Sequence, residues 1–291
     1  MKSSAVMKGM LGFYIVLFFL YLFGPLMVMS VTAFNTPSYP QALPFEGFTL
    51  QWFEKLWNHR LMMEGLLNSI IIGLGVVTIS VPIGLAASII MNQIYHRARS
   101  LFYLVTISPL LTPGVIIGIS TVIFWKDAFG LTDWSKATFY KGIVLSILGQ
   151  ASFVSAYCLL IIMARLTRFD RAQEEAALDL GASYPQVFWH VLLPFLKPAM
   201  LSASVIAFLS SFENFNTTTF AILADKTLVT VLAGETRQGT TPALSALAVI
   251  IIAISLVGAI TYELLKRREE AAAERMKERA RLAERGELEQ A

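Results

Sequence analysis

Residues 65–95 read GLLNSIIIGLGVVTISVPIGLAASIIMNQIY and contain no charged side chain. A helix needs about 20 apolar residues to cross about 30 Å of hydrocarbon. This stretch is longer than that, so it predicts a transmembrane helix over about residues 67–91. The stretch also indicates the class of the protein, because an uncharged run of this length is typical of a membrane span.

Similar apolar stretches lie on both sides of it, at about residues 10–34, 101–125, 142–164, 199–224 and 243–265. Together they predict an all-α membrane protein with six transmembrane helices within residues 10–265. The chain is 56% hydrophobic and 15% charged, whereas a soluble domain is about 45–50% apolar and about 25% charged. This composition excludes a soluble domain and a disordered chain. A disulfide scaffold is also excluded, because Cys158 is the single cysteine.

Lysine and arginine in the loops predict the orientation of the spans. With both termini in the cytoplasm, 16 of the 23 basic side chains lie inside. Residues 1–9 then form a cytoplasmic N-terminus, and residues 266–291 form a cytoplasmic tail with eight basic and seven acidic side chains. Without the tail the excess is eight to seven. The net charge of +3 is too small to indicate a nucleic acid partner, so lipid is the expected surrounding.

Between the fourth and fifth spans, residues 165–198 read RLTRFDRAQEEAALDLGASYPQVFWHVLLPFLKP. Asp170 is suited to cap a helix over about residues 171–180, which Gly181 then ends in a left-handed conformation. Ser183, with a glutamine three residues later, starts a second short helix. Two prolines interrupt the backbone before the fifth span, at positions 194 and 198. We therefore expect a cytoplasmic hairpin whose apolar side chains bind a partner protein or fold back on the bundle.

The hairpin resembles the signature of ABC importer permeases. That signature is Glu-Ala-Ala, three residues, Gly, nine residues, Ile, any residue, Leu, Pro. This chain has Glu175-Ala176-Ala177, then Gly181, then Val191-x-Leu193-Pro194, with valine for isoleucine as the departure. The resemblance implies a type I (MetI-like) permease fold in which the hairpin couples to a cytoplasmic ATPase. The residues implied in coupling, called here the signature residues, are Glu174, Glu175, Ala176, Ala177, Asp179, Gly181, Val191, Leu193 and Pro194.

The resemblance also implies partners and a location. These are a homologous second permease that forms a heterodimer with this chain, two ABC ATPase subunits that hold ATP and Mg²⁺, and a periplasmic or extracellular solute-binding protein. The location is the bacterial inner membrane. We expect no cofactor or metal in this chain itself, because Gly-Lys does not occur and its three histidines lack ligand spacing. It is expected to be a transport subunit and not an enzyme.

Two segments are similar to spermidine/putrescine permeases, namely Gly47-Phe48-Thr49-Leu50-Gln51-Trp52-Phe53 and the stretch from Glu174 to Ala182. This similarity implies a polyamine substrate. Polyamine permeases characteristically have two adjacent aspartates where this chain has Glu213 and Asn214, so one carboxylate is missing. Amino-phosphonates, thiamine and iron therefore stay open as substrates.

Glu213 is the ionisable residue that lies deepest within an expected span. A charge at that depth is costly unless it faces water or a partner, so we expect Glu213, Asn214 and Ser210 to line the translocation path. The alternative is that the polar stretch forms hydrogen bonds between helices. The same alternative holds for Gln150, Ser152 and Asn68, which are weaker path candidates.

Other classes of protein fit the sequence less well. A secondary transporter working alone leaves the hairpin at residues 165–198 without a function. An intramembrane enzyme needs paired reactive groups at membrane depth, and no serine, cysteine or histidine arrangement provides them. In the third span, Pro109, Pro113 and the pair Gly114 and Gly118 indicate either a hinge or close helix packing.

Overall fold

The computed structural model describes residues 2–129, 140–258, 260, 261 and 264. No strand occurs in these ranges. The β-type pairing within them is a single antiparallel bridge between Asn35 and Phe48. The helices are α1 (Lys2–Phe34), α2 (Gln51–Trp57), α3 (Arg60–Gln93), α4 (His96–Leu111), α5 (Gly114–Phe129), α6 (Gly142–Leu166), α7 (Ala172–Asp179), α8 (Tyr184–Val187), α9 (Leu193–Phe212), α10 (Thr218–Ala221), α11 (Leu228–Gln238) and α12 (Pro242–Gly258).

Four helices of the described chain are long and apolar enough to cross a membrane. They are Met7–Phe34, Arg60–Gln93, Gly142–Leu166 and Tyr184–Phe212. The bent pair α4 and α5 makes a fifth if the two helices form one crossing. Helix α12 is shorter, and the end of the expected span at 243–265 lies outside the described residues, as does the tail at 266–291. The expected six transmembrane helices are therefore not confirmed.

The chain divides into two units, one of residues His59–Gln238 and one of the residues before and after it. In the His59–Gln238 unit, α3, α6 and α9 pack around a common core of aliphatic side chains. Glycines bring α3 and α6 close together, since a Cβ at Gly75 would meet the Ile147 side chain and one at Gly84 would meet Cys158. Small residues at such crossings let membrane helices approach closely.

The other unit contains α1, a loop and the short helix α2. Asn35 organises the loop, because its Nδ2 donates to the carbonyls of Gln41 and Pro44 while its Oδ1 accepts from the Glu46 N–H. The buried Trp52 on α2 donates from Nε1 to the Asn35 carbonyl at 2.7 Å. The loop is therefore tied to the end of α1 by side-chain hydrogen bonds.

The expected third span, residues 101–125, is not one straight helix. Helices α4 and α5 meet at a bend of 100° across the break between them. Pro113 has no N–H and disfavours a helical conformation at the preceding residue, and Thr112 accordingly is extended, with ψ of 133°. A Cβ at Gly118 would meet the Thr217 carbonyl and the Phe220 side chain. This glycine therefore has a packing role.

The expected break before the fifth span is also wrong. From Tyr184 to Phe212 the chain is continuously helical, through α8, a π-turn at Phe188–Leu192 and α9. The π-turn accommodates Pro194, because the Leu193 N–H bonds the Phe188 carbonyl and the widened turn replaces a regular one. The helix then ends at Phe212, so the second half of the expected span at 199–224 is a loop and the short helix α10.

Candidate functional site

The hairpin at residues 165–198 leaves part of the signature exposed. The exposed signature residues are Glu175, Ala176, Asp179, Gly181 and Pro194, and the half-buried ones are Glu174, Ala177, Val191 and Leu193. No residue of α7 is buried. Leu180 is 90% exposed and Trp189 is 62% exposed. Monomeric surfaces rarely present such apolar side chains together unless a partner covers them.

Gly181 ends α7 as its sequence position predicts. Its φ is +86°, in the left-handed region. Its N–H bonds the Leu178 carbonyl at 2.9 Å, and the Ala182 N–H bonds the Ala177 carbonyl at 3.0 Å. This is the pair of hydrogen bonds that closes a helix on a glycine. The next helix begins as predicted, with the Ser183 N–H donating to Gln186 Oε1 at 2.8 Å.

Three of the nine signature residues line one groove. The groove measures about 440 Å³ and is lined by Ala177, Gly181 and Val191 among others. Leu193 and Pro194 begin α9 at the far side of the π-turn. The remaining signature residues lie on α7: Glu174, Glu175, Ala176 and Asp179. Of these, Glu174 lines a separate cavity of about 190 Å³ between α7 and the end of α3.

Two arginines join the hairpin to the ends of long helices. Arg165 Nε, at the end of α6, donates to the Phe195 carbonyl at 2.9 Å, and its guanidinium lies 4.5 Å from the Phe195 ring centre. Arg171 Nη2 donates to the Asn92 carbonyl in the last turn of α3 at 3.3 Å. A cation is favourable at that helix end. These contacts connect the hairpin region to α3, α6 and α9.

The structure places Glu213 at the end of α9 and not inside a span helix. Its N–H bonds the Leu209 carbonyl at 3.1 Å, and the chain leaves the helix there. The side chain is exposed. In the part of the chain that the structure describes, its carboxylate has no hydrogen bond and no ion pair.

Ser210, Glu213 and Asn214 line one cavity of about 270 Å³. Phe153 and Tyr157 of α6 line the same cavity, with ring centres 6.4 Å apart. These two rings are not among the residues expected from the sequence, although their spacing of one helical turn in the fourth span was a usable signal.

The polar stretch after Glu213 forms local hydrogen bonds at the start of α10. Asn214 Oδ1 accepts from the Thr217 N–H at 3.1 Å and from the Thr218 N–H at 3.2 Å, which caps α10. Thr217 and Thr218 are buried. The cap commits the Asn214 oxygen, so of the expected path residues Glu213 has the free charged group.

Gln150 is buried, at 1% exposed, and makes hydrogen bonds between segments. Asn68 likewise donates to the Lys226 carbonyl at 2.8 Å. Ser152 bonds within its own helix, to the Gly149 carbonyl. All three therefore bond as structural residues do. In the described ranges, no group of three His, Cys, Asp or Glu side chains is placed to hold a metal ion.

Comparison with known proteins places the chain among transport proteins. The sequence profile of the family "Binding-protein-dependent transport system inner membrane component" matches residues 80–270. The putrescine transport system permease protein PotI of Escherichia coli (strain K12) is 28% identical over 86% of this chain and 89% of its own length. The spermidine/putrescine transport system permease protein PotC of Haemophilus influenzae is 25% identical over 85% of this chain and 93% of its own.

Solved structures agree with this placement. A chain of a bacterial ABC transporter involved in the import of the acidic polysaccharide alginate superposes with a TM-score of 0.67 at 18% identity, over 92% of this chain and 96% of that one. A chain of an alginate ABC transporter in complex with a pentasaccharide-bound periplasmic protein gives a TM-score of 0.64 at 16% identity, over 90% and 93%. At such identities the likeness shows the fold. This chain belongs to the family of binding-protein-dependent transport system inner membrane components, and it is an ABC importer permease similar to the spermidine/putrescine permeases.

Proposed function

We propose that this chain forms half of the translocation path of an ATP-driven importer for a polyamine, such as putrescine or spermidine, or for a related small solute. The names of its relatives PotI and PotC support that substrate class. The other half is a homologous second permease. A solute-binding protein delivers substrate from outside the bacterial inner membrane, and both termini of this chain lie in the cytoplasm.

The observation that carries the proposal is one continuous helical stretch. It runs from Tyr184 in the hairpin to Phe212, directly before Glu213, over 29 residues, or about 43 Å. Two ABC ATPases, with ATP and Mg²⁺ on their own subunits, bind the hairpin at its signature residues. Their closure moves the hairpin, and α9 carries that movement to the cavity at Glu213. This is alternating access driven from the cytoplasmic side.

The cavity at Glu213 suits a cation. The carboxylate of Glu213 has no partner in the described chain, and an unpaired anion attracts an ammonium group more strongly where less bulk water surrounds it. Aromatic faces add a cation–π attraction, and Phe153 and Tyr157 line the same cavity. One carboxylate in this chain suits one amino group of the substrate.

The test is uptake by the complete importer in proteoliposomes. We expect Glu213→Gln to lower ATP-driven uptake of labelled putrescine or spermidine at least about tenfold, because it removes about 1.4 kcal/mol or more of charge attraction. Glu213→Asp should retain most uptake. Glu64→Gln is the matched control, since Glu64 is an exposed carboxylate on α3 that lines no part of this cavity.

Unchanged uptake by Glu213→Gln would contradict the pathway role. Competition by thiamine, an amino-phosphonate or ferric iron, with none by polyamines, would reassign the substrate. Uptake that continues without ATP would favour a secondary transporter. Each outcome is read from a different change to the assay, namely the variant, the competing solute or the presence of ATP. The three outcomes can therefore be told apart.

A further inference from the structure

The loop between α9 and α10 carries Glu213, and a single buried side chain joins the two ends of that loop. Ser211 lies in the last turn of α9 and its Oγ donates to Gln150 Oε1 at 2.5 Å. Thr218 is the first residue of α10, and its Oγ1 accepts from Gln150 Nε2 at 2.8 Å. Gln150 therefore bridges both ends with both atoms of its amide.

All three side chains of the bridge are buried: Gln150 is 1% exposed, Ser211 4% and Thr218 1%. Hydrogen bonds in such surroundings are strengthened by the low dielectric, and an amide left without partners there is costly. The bridge continues, because Thr218 Oγ1 donates to Asn214 Oδ1 at 3.2 Å. The loop is thus held at both ends and at Asn214.

Packing encloses the loop from a second direction. A Cβ at Gly149, the residue before Gln150, would lie 3.4 Å from Thr217 Cγ2. A Cβ at Gly118 on α5 would meet the Thr217 carbonyl. Thr217 is fixed between α5 and α6, and the residues between it and Phe212 line the cavity.

We propose that Gln150 is a positioning residue for the translocation path, which holds the loop so that the Glu213 carboxylate faces the cavity. Gln150 itself does not touch substrate, since it is buried behind the loop and does not line the cavity. This inference rests on the proposed path role of Glu213. It adds that the amide of α6 determines where that carboxylate lies.

The test measures the position of residue 213 directly, by thiol labelling of the complete importer in membrane vesicles. Glu213→Cys is made with Cys158→Ala, which removes the single native cysteine. A small water-soluble methanethiosulfonate then reports how often residue 213 faces the cavity. Gln150→Met keeps the length of the side chain and removes both hydrogen bonds. We expect it to slow labelling about fivefold, the population shift that about 1 kcal/mol produces.

Three controls separate positioning from general damage. Ser155→Ala removes a buried hydroxyl of α6 that bonds only its own helix, to the Ala151 carbonyl, and should leave labelling unchanged. A cysteine at the exposed position Asn58, in the loop between α2 and α3, should label equally fast with and without the Gln150→Met substitution. Thr218→Val removes the hydrogen bond at the other end of the bridge and should also slow the labelling of residue 213. This second variant keeps the test available if the Gln150→Met protein does not insert into the membrane.

Equal labelling of residue 213 in the native, Gln150→Met and Thr218→Val proteins would overturn the inference. Uptake gives the second readout: Gln150→Met should lower it in the protein that retains Glu213 and have little further effect in the Glu213→Gln protein. If Glu213→Gln leaves uptake unchanged, the proposed function fails, while the labelling result still decides whether Gln150 positions the loop.

Discussion

The backbone at Gly181 shows how one residue determines the shape of the hairpin. Its φ of +86° is costly for residues with a Cβ. A Cβ added there would have no heavy atom within 4 Å. Without a partner bound, a substitution of Gly181 therefore acts through the backbone conformation of the turn and not through a steric clash.

This separation gives a prediction for two substitutions of Gly181. We expect Gly181→Val to lose most uptake while the protein still inserts, because a β-branched residue resists the left-handed conformation by about 1–2 kcal/mol. Gly181→Asn should retain uptake, since asparagine tolerates that conformation. Uptake and ATPase activity of the reconstituted importer are the measurements. Equal uptake by the two variants would show that the turn conformation does not matter for coupling.

At the scale of elements, glycines determine how closely α3 and α6 pack. A Cβ at Gly84 would lie 2.8 Å from the Leu159 backbone nitrogen and closer still to Cys158 Cβ. A backbone atom in the middle of a helix cannot move aside as the end of a flexible side chain can. The two helices must separate if this glycine is replaced.

We therefore expect Gly84→Ala to destabilise the folded permease by about 1–3 kcal/mol, the usual effect of an added methyl group in a close-packed interface. The thermal unfolding midpoint in detergent measures this. Gly234→Ala on α11 is the control, because nothing lies within 4 Å of its Cβ position, and it should be neutral or slightly stabilising. Equal unfolding midpoints for the two variants would contradict a steric role for Gly84 between α3 and α6.

For the complete permease, the number of membrane crossings depends on the arrangement of α4 and α5. The bend of 100° between α4 and α5 leaves the two helices as one crossing or as a loop that returns to the same side. In a single crossing the start of α4 and the end of α5 lie on opposite sides of the membrane, whereas in a returning loop they lie on the same side. The two arrangements are therefore distinguishable by chemical labelling.

We predict a single crossing, with the start of α4 in the cytoplasm and the start of α6 outside. Cysteines at Ser100 and Lys141, both exposed positions, are placed in the Cys158→Ala protein and treated in whole cells with an impermeant maleimide. Lys141→Cys should label, and Ser100→Cys should label only after the membrane is opened. Labelling of both in intact cells would indicate a returning loop. A C-terminal fusion should be inaccessible from outside.

Features that depend on neighbouring residues could be predicted from the sequence alone. Hydropathy indicates membrane spans because each span meets lipid along its own length. The turn at Gly181 and the helix start at Ser183 follow from hydrogen bonds within a few residues. The signature of the hairpin is likewise local, and it identified the class of permease.

Features that depend on contacts between distant segments became visible in the folded chain. The hydrogen bonds of Gln150 join residues 61 and 68 positions away, and Tyr157 of α6 lines the same cavity as Glu213. Asn214 caps α10 because the chain leaves α9 at Phe212, which no local pattern marks. Whether a polar side chain in a span lines a path or holds the fold depends on which helix faces it, and that is a property of packing.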